Sequence, residues 1–210
     1  SNGLKILNDT PHLKNLGMRK MLEILELSEH VRSGDLGFRI GPCINAAGRL
    51  DDAALGLKML TTTDEREVVK LVNELITLNE ERKELTAQAT NNAIAQIEEM
   101  KALEKPVLVI YLKDCHESVA GIVAGRIREK YYRPAYVLTD GEKGLKGSGR
   151  SIPGYHMQQA LQNCQEILTE FGGHALAAGF SLPKENLDKF RDALNEQCNL
   201  TDEELVEKIS

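Results

Sequence analysis

Two short stretches carry residue types whose spacing suits an anion. In KGSGRS, Lys146 to Ser151, glycines flank Ser148, which opens backbone N–H groups to close approach. Lys146 brings a point charge there and Arg150 a planar fork for phosphate oxygens. The competing reading is a bulged strand with a surface arginine, and a lone GSGR does not decide between them. In FGGHALAAGF, Phe171 to Phe180, the pair Gly172-Gly173 precedes His174. One glycine would serve as a left-handed helix cap. The second exceeds that need and fits a loop on which a ligand packs against backbone, with His174 donating a hydrogen bond or, once protonated, a charge. A lone histidine is as readily structural, so both readings stay open.

Two further stretches are weaker. In CHESVAGIVAGRIREKY, Gly121 and Gly125 lie four apart on a predicted helix, which suits close packing on a sheet. His116 precedes that helix, Glu117 or Ser118 is a candidate cap, and Arg126 points either to solvent or to a ligand. In GPCINAAGRLDD, Asn45 can bond turn backbone and Arg49 sits on a basic loop, while Asp51 and Asp52 read as caps of the next helix.

Several chemistries lack their residues. Five scattered histidines, without a D-x-D or DHH cluster, offer no set of cation ligands, so the expectation is no metal site, no cofactor and no catalytic residue in this stretch. Neither G-x-S-x-G nor a Walker phosphate loop occurs. Four cysteines without a CxxC pair read as reduced thiols.

The formal charge of −6 argues against a general polyanion coat, but it is unevenly spread. Residues 62–105 and 201–210 are acidic, whereas 126–150 holds seven bases against three acids, which suits a local anion site. With 41% apolar residues, 210 residues suffice for one large or two small cores. No run approaches the roughly 20 apolar residues of a spanning helix, and no leader pattern opens the chain. A cytoplasmic protein with no membrane partner is expected. The opening SNG resembles a tag scar, and the chain reads as a fragment.

These residues need a scaffold. Thr62 and Glu65 form a capping-box pattern, and Leu71, Leu75, Leu78 and Leu85 keep helical spacing with no Gly or Pro before Pro106. One helix over 63–103 would run on the order of 60 Å and connect two bodies. A hairpin broken at Asn91-Asn92 is the alternative. Upstream, short helices around 18–27 and 52–60 flank a Gly-rich loop region. Downstream, PVLVIY (106–111) and PAYVLT (134–139) read as buried strands around a helix at 118–132, a parallel pair with a right-handed crossover. Then come a Gly-interrupted strand or loop (LKGSGRSI), a helix at 155–170, the strand ALAAGFSL and a helix at 184–197.

Taken in order, GPCINAAGRLDD, LNEERKE, HESVAGIVAGRIREKYYRPAYVLT, LKGSGRSIPGYHMQQAL and FGGHALAAGFSL resemble the RecJ family of single-strand-specific DNA exonucleases over residues 36–190. The resemblance implies an α/β fold: a long connecting helix, then a DHHA1-type domain with a mixed sheet flanked by helices. The boundaries it suggests are 1–61 for the end of a DHH domain, 62–105 for the helix, 106–200 for DHHA1 and 201–210 for an acidic tail. It implies a 5′→3′ exonuclease of DNA repair and recombination whose Mn²⁺ or Mg²⁺ sits in a DHH domain absent here, leaving this fragment inactive. Single-stranded DNA, gripped near its 5′ end, is the implied partner, with single-strand-binding protein a second. By motif, Arg49, Lys146, Ser148, Arg150, Gly172, Gly173 and His174 would contact nucleic acid, with His116, Arg126 and Asn45 near the cleft. Cys43 departs from the family, where arginine is common. Rival readings are a DHH-family phosphoesterase acting on short oligonucleotides or dinucleotides, and a non-catalytic DHHA1 binding module.

Overall fold

The computed structural model describes residues 2–50 and 54–206, without the side chains of Arg49 and Leu50. Residues 1–84 form one compact unit and 85–210 another.

The first unit is helical: α1 (Asn2–Asn8), α2 (Leu16–Ile24), a single turn α3 (Ser33–Asp35), a π-helical turn Leu36–Ile40, α4 (Gly41–Leu50), α5 (Ala54–Thr61) and the start of α6 (Glu65–Glu99). The expected Gly-rich loop is therefore largely helix. Ile40, Cys43 and Ala47 recur at helical spacing and bury one stripe against Met21, Met59 and Val72, and that burial outweighs the low helix propensity of the glycines. Cys43 is 2% exposed, and burial pushes its thiol pKa up. Cys43 thus serves core packing in the first unit.

The long helix is continuous through Asn91-Asn92, 35 residues and so about 52 Å. Its cap is Asp64 rather than Thr62: the Asp64 carboxylate accepts from the N–H groups of Arg66 (2.8 Å) and Glu67 (3.1 Å). Val68, Leu71 and Leu75 belong to the core of the first unit, whereas Ala89, Ala93 and Ile97 belong to a core of the second.

The second unit is built on a mixed five-stranded sheet in the order β1-β2-β3-β5-β4. β1 (Leu108–Tyr111) runs parallel to β2 (Ala135–Gly141), with α7 (Glu117–Tyr131) as the crossover. β3 (Gly144–Arg150) returns antiparallel, β5 (Ala177–Leu182) pairs with β3, and β4 (Glu170–Gly173) pairs with β5. One face packs Leu108, Ile110 and Val137 under α6 and α7. The other packs Tyr136, Leu138 and Phe180 under α8 (Met157–Gln162) and α9 (Leu187–Glu196), where Tyr136, Phe180 and Phe190 meet with ring centroids 5.0–5.7 Å apart.

Two expectations change. The helix drawn over 155–170 stops at Gln162, and Glu170 to Gly173 are strand, because Thr169 N–H donates to the Ser181 carbonyl and four residues then join β5. The segment at 184–197 opens with a 3₁₀ turn, Lys184–Asn186, before α9.

Candidate nucleic acid interface

Strand alternation brings the motif residues together. Lys146, Ser148 and Arg150 share one face of β3, and their partners on β5 are Ser181, Gly179 and Ala177. Beyond them on β4 lie Glu170, opposite Ser181, and Gly172, opposite Gly179. Three rungs result: Lys146–Ser181–Glu170, Ser148–Gly179–Gly172, and Arg150–Ala177. The third ends at the turn carrying His174, whose N–H donates to the Ala177 carbonyl at 2.8 Å.

Helix α7 walls this face at β3. A Cβ on Gly121 would stand 2.8 Å from an Arg150 guanidinium nitrogen and 3.5 Å from Ser148 Cβ, so the missing side chain is what lets the helix close onto these two residues. Gly125 has nothing within 4 Å and takes no part in that contact. The open part of the face is a groove of about 620 Å³ lined by Glu117, Ser118, Lys146, Ser148, Gly172 and Gly179, among others.

The glycines of the two motifs divide by role. Those flanking Ser148 are not an anion nest, since β3 is a regular strand paired on both sides and its amides belong to the ladders. They make room on the opposite face: a Cβ on Gly147 would lie 2.2 Å from the Phe180 ring, and one on Gly149 2.4 Å from Met157 sulfur. Gly173 has φ +147°, and a Cβ there would press on Ala177 and Ala178 backbone. Gly172 has nothing within 4 Å and Gly179 only a carbonyl at 3.9 Å. Their missing side chains serve no packing within the unit, and both are exposed.

The charges sort likewise. Lys146 Nζ meets Glu117 Oε2 at 2.9 Å, and that hydrogen bond holds the lysine pKa above its ordinary value. Glu142 and Glu170 act on it in the same direction. Arg150 donates to the Gly149 carbonyl at 2.7 Å. Arg133, in the same basic segment, binds the carbonyls of Leu103, Lys105 and Tyr131 and so fastens loops instead of facing the groove. Arg126 is exposed on α7 and outside the groove lining. His116, not Glu117 or Ser118, caps α7: its Nδ1 accepts from Ser118 N–H at 3.3 Å and lies 2.7 Å from Ser118 Oγ. Asn45 and Arg49 belong to α4 of the first unit. Asn45 is exposed, while the Arg49 side chain, like Asp51 and Asp52, lies outside the described residues. Glu170 and Ser181 escape the sequence reading, Glu170 because a helix drawn through 170 hides the period-2 pattern of 170–172, and Glu117 enters it only as a candidate cap.

Among the described residues no three His, Cys, Asp or Glu side chains gather as a cation site. No described helix is long and apolar enough to cross a membrane. The described residues thus offer no ligand set for a catalytic Mn²⁺ or Mg²⁺.

Residues 104–200 match the family model of the DHHA1 domain. The chain is 36% identical over 189 residues to the single-stranded-DNA-specific exonuclease RecJ of Escherichia coli, covering 86% of this chain and 33% of that protein. With the Bacillus subtilis protein of the same description it shares 34% over 210 residues, 97% of this chain and 26% of the relative. Among solved structures, RecJ of Thermus thermophilus in complex with Mn²⁺ aligns with a TM-score of 0.80 at 31% identity, covering 90% of this chain and 28% of that one. An exonuclease RecJ bound to manganese aligns at 0.81, also at 31% identity, covering 92% of this chain and 47% of that one. The chain spans a quarter to a third of these curated relatives.

Proposed function

We propose, for a chain that is related to the RecJ exonucleases along nearly its whole length and carries a DHHA1 domain, that it is the strand-positioning portion of a single-strand-specific 5′→3′ DNA exonuclease of cytoplasmic repair and recombination. The observation that carries this is the adjacent rungs of Ser148 and Arg150, the first running into two exposed glycines, with helix α7 closed onto both side chains through Gly121. A phosphate at Ser148 and Arg150 would receive a hydroxyl donor and a bidentate cation. His174, at the same end of the sheet, adds a further donor, and the Mn²⁺ or Mg²⁺ that hydrolysis requires would be held outside this chain. Arg49, Asn45 and single-strand-binding protein remain further proposed contacts.

The test is fluorescence anisotropy of a 5′-phosphorylated single strand titrated with the chain at several salt concentrations. Arg150→Ala is expected to weaken binding by about tenfold or more, as for a lost hydrogen bond to a charged group worth ~1.5–3 kcal/mol, and to lower the salt slope by about one phosphate. Incubation of the same strand with the chain and Mn²⁺ should leave it intact. Binding indifferent to Arg150→Ala, or chelator-sensitive degradation that survives removal of host nucleases, would refute the reading.

A further inference from the structure

Phe38 stands apart from the other phenylalanine rings. Phe180 and Phe190 are buried in a core of the second unit and Phe171 packs against it, whereas Phe38 is 83% exposed. Its setting in the first unit is built by the local sequence. The Gly41 N–H donates to the Leu36 carbonyl five residues back, which makes Leu36–Ile40 a π-helical turn, and a Cβ on Gly41 would stand 2.7 Å from that oxygen. Glycine at 41 therefore lets the turn close. Leu36 and Ile40 then pack into the first unit's core while Gly37, Phe38 and Arg39 face out. Turns of this kind are frequent at functional sites.

The ring is also kept bare. Gly34 precedes it at helical spacing, and a Cβ there would meet only the Phe38 ring, at 3.9 Å, while a Cβ on Gly37 would meet nothing within 4 Å. Glycine in a helical turn costs about 1 kcal/mol against alanine, and neither glycine makes room for the core. What they leave is an aromatic face without a side chain beside it. The surroundings are cationic: residues 30–49 carry Arg32, Arg39 and Arg49 against Asp35 alone, +2 within a chain of −6. Arg32 and Arg39 are exposed, the latter donating to the Leu25 carbonyl with the Asp35 carboxylate 3.9 Å from its guanidinium. An apolar protein surface laid on the ring would desolvate those cations without pairing them. A single strand brings a flat base for the ring and phosphates for the charges.

From this we infer that Phe38 is a stacking platform for one base of the single strand, a contact made by the helical unit in addition to the phosphate grip of the sheet. The inference rests on the single-strand reading above. Every base has a π face, so the platform adds affinity without sequence preference. Arg32 and Arg39 supply the positive field that draws the adjoining phosphates.

The test titrates two 5′-phosphorylated strands of equal length into the 210-residue chain: one with ordinary bases, one built of abasic tetrahydrofuran residues. Phe38→Ala should weaken the base-bearing strand about tenfold, which corresponds to ~1.4 kcal/mol, and leave the abasic strand and the salt slope unchanged. Phe38→Leu, apolar but not flat, should behave as Phe38→Ala does. The chain contains no tryptophan, so Phe38→Trp adds a single fluorophore whose emission the base-bearing strand alone should quench. Thermal melting should show all three variants folded, since none removes a core side chain. If Phe38→Ala binds both strands as the parent chain does while Arg150→Ala still weakens both, the platform is overturned and the phosphate grip stands. Full binding by Phe38→Leu would overturn stacking as well, and so would self-association that Phe38→Ala abolishes while the tryptophan emission ignores the strand, which would give the ring to a second copy. A loss confined to Phe38→Ala would uphold the platform and remove the phosphate grip; binding that ignores both alanines would remove both.

Discussion

Replacing Gly147 with alanine should damage the fold, whereas the same change at Gly172 should not. At Gly147 the added methyl would lie 2.2, 2.6 and 2.7 Å from three atoms of the Phe180 ring, which is 4% exposed and wedged against Tyr136 and Phe190. The ring cannot swing into solvent, so the strand or the aromatic cluster must shift, at an overpacking cost of about 1–3 kcal/mol. At Gly172 nothing lies within 4 Å, and reduced backbone freedom of the unfolded chain should contribute about 0.4–1 kcal/mol of stability. Urea denaturation followed by circular dichroism measures both. The midpoint should fall for Gly147→Ala and hold or rise for Gly172→Ala, while Gly147→Ala with Phe180→Leu should recover part of the loss by trimming the ring. Equal destabilisation by the two alanines would refute the assignment of Gly147 to packing and Gly172 to a ligand.

Arg133→Ala removes three bonds to the carbonyls of Leu103, Lys105 and Tyr131, so it should lower stability by about 1–3 kcal/mol yet leave single-strand affinity unchanged. A large affinity loss in a folded variant would place Arg133 at the interface. Glu117→Gln releases Lys146 from an exposed ion pair, and single-strand binding at low salt should tighten, by a few-fold at most given how little such pairs contribute; weaker binding would show that the pair holds the groove in shape. The hydroxyls of Tyr136 and Tyr155 lie 3.2 Å apart in the core, and burial raises both pKa values above 10. A raised folded-state pKa makes the unfolded chain release protons first. Stability should therefore be intact below about pH 10 and fall as pH rises further, with Tyr155→Phe flattening the decline seen in alkaline melting curves. A melting temperature that stays constant from about pH 9 to about pH 12 would contradict this.

Much of the fold can be read in the sequence because its signals are local. The unbroken run after Thr62 gives a helix, since no glycine or proline interrupts its apolar spacing, and PVLVIY and PAYVLT give strands because only a doubly covered sheet tolerates such continuous apolar runs. The motif residues Ser148, Arg150, Gly172 and Gly173 are also nameable, since their types suit an anion whatever the fold. What they do is decided by pairing. KGSGRS does not show that Gly147 yields space to Phe180 and Gly149 to Met157, because those rings and thioethers come from β5 and α8 across the sheet. FGGH looks like a helix end until β5 recruits Glu170 to Gly173 as an edge strand, a long-range choice that overrides local pattern. GPCINAAGRL looks like a loop until burial of Ile40, Cys43 and Ala47 makes it a helix. The same holds for charge: composition gathers the cations of 126–150 into one segment, but hydrogen bonding sends Arg133 to loop carbonyls, while strand alternation puts Lys146 and Arg150 on one face of β3, where Lys146 lines the groove. Residue chemistry is local and can be read one position at a time. Which face a residue occupies, and beside which neighbour, is set by strand register, and register is settled only when the two faces of the sheet compete to be buried.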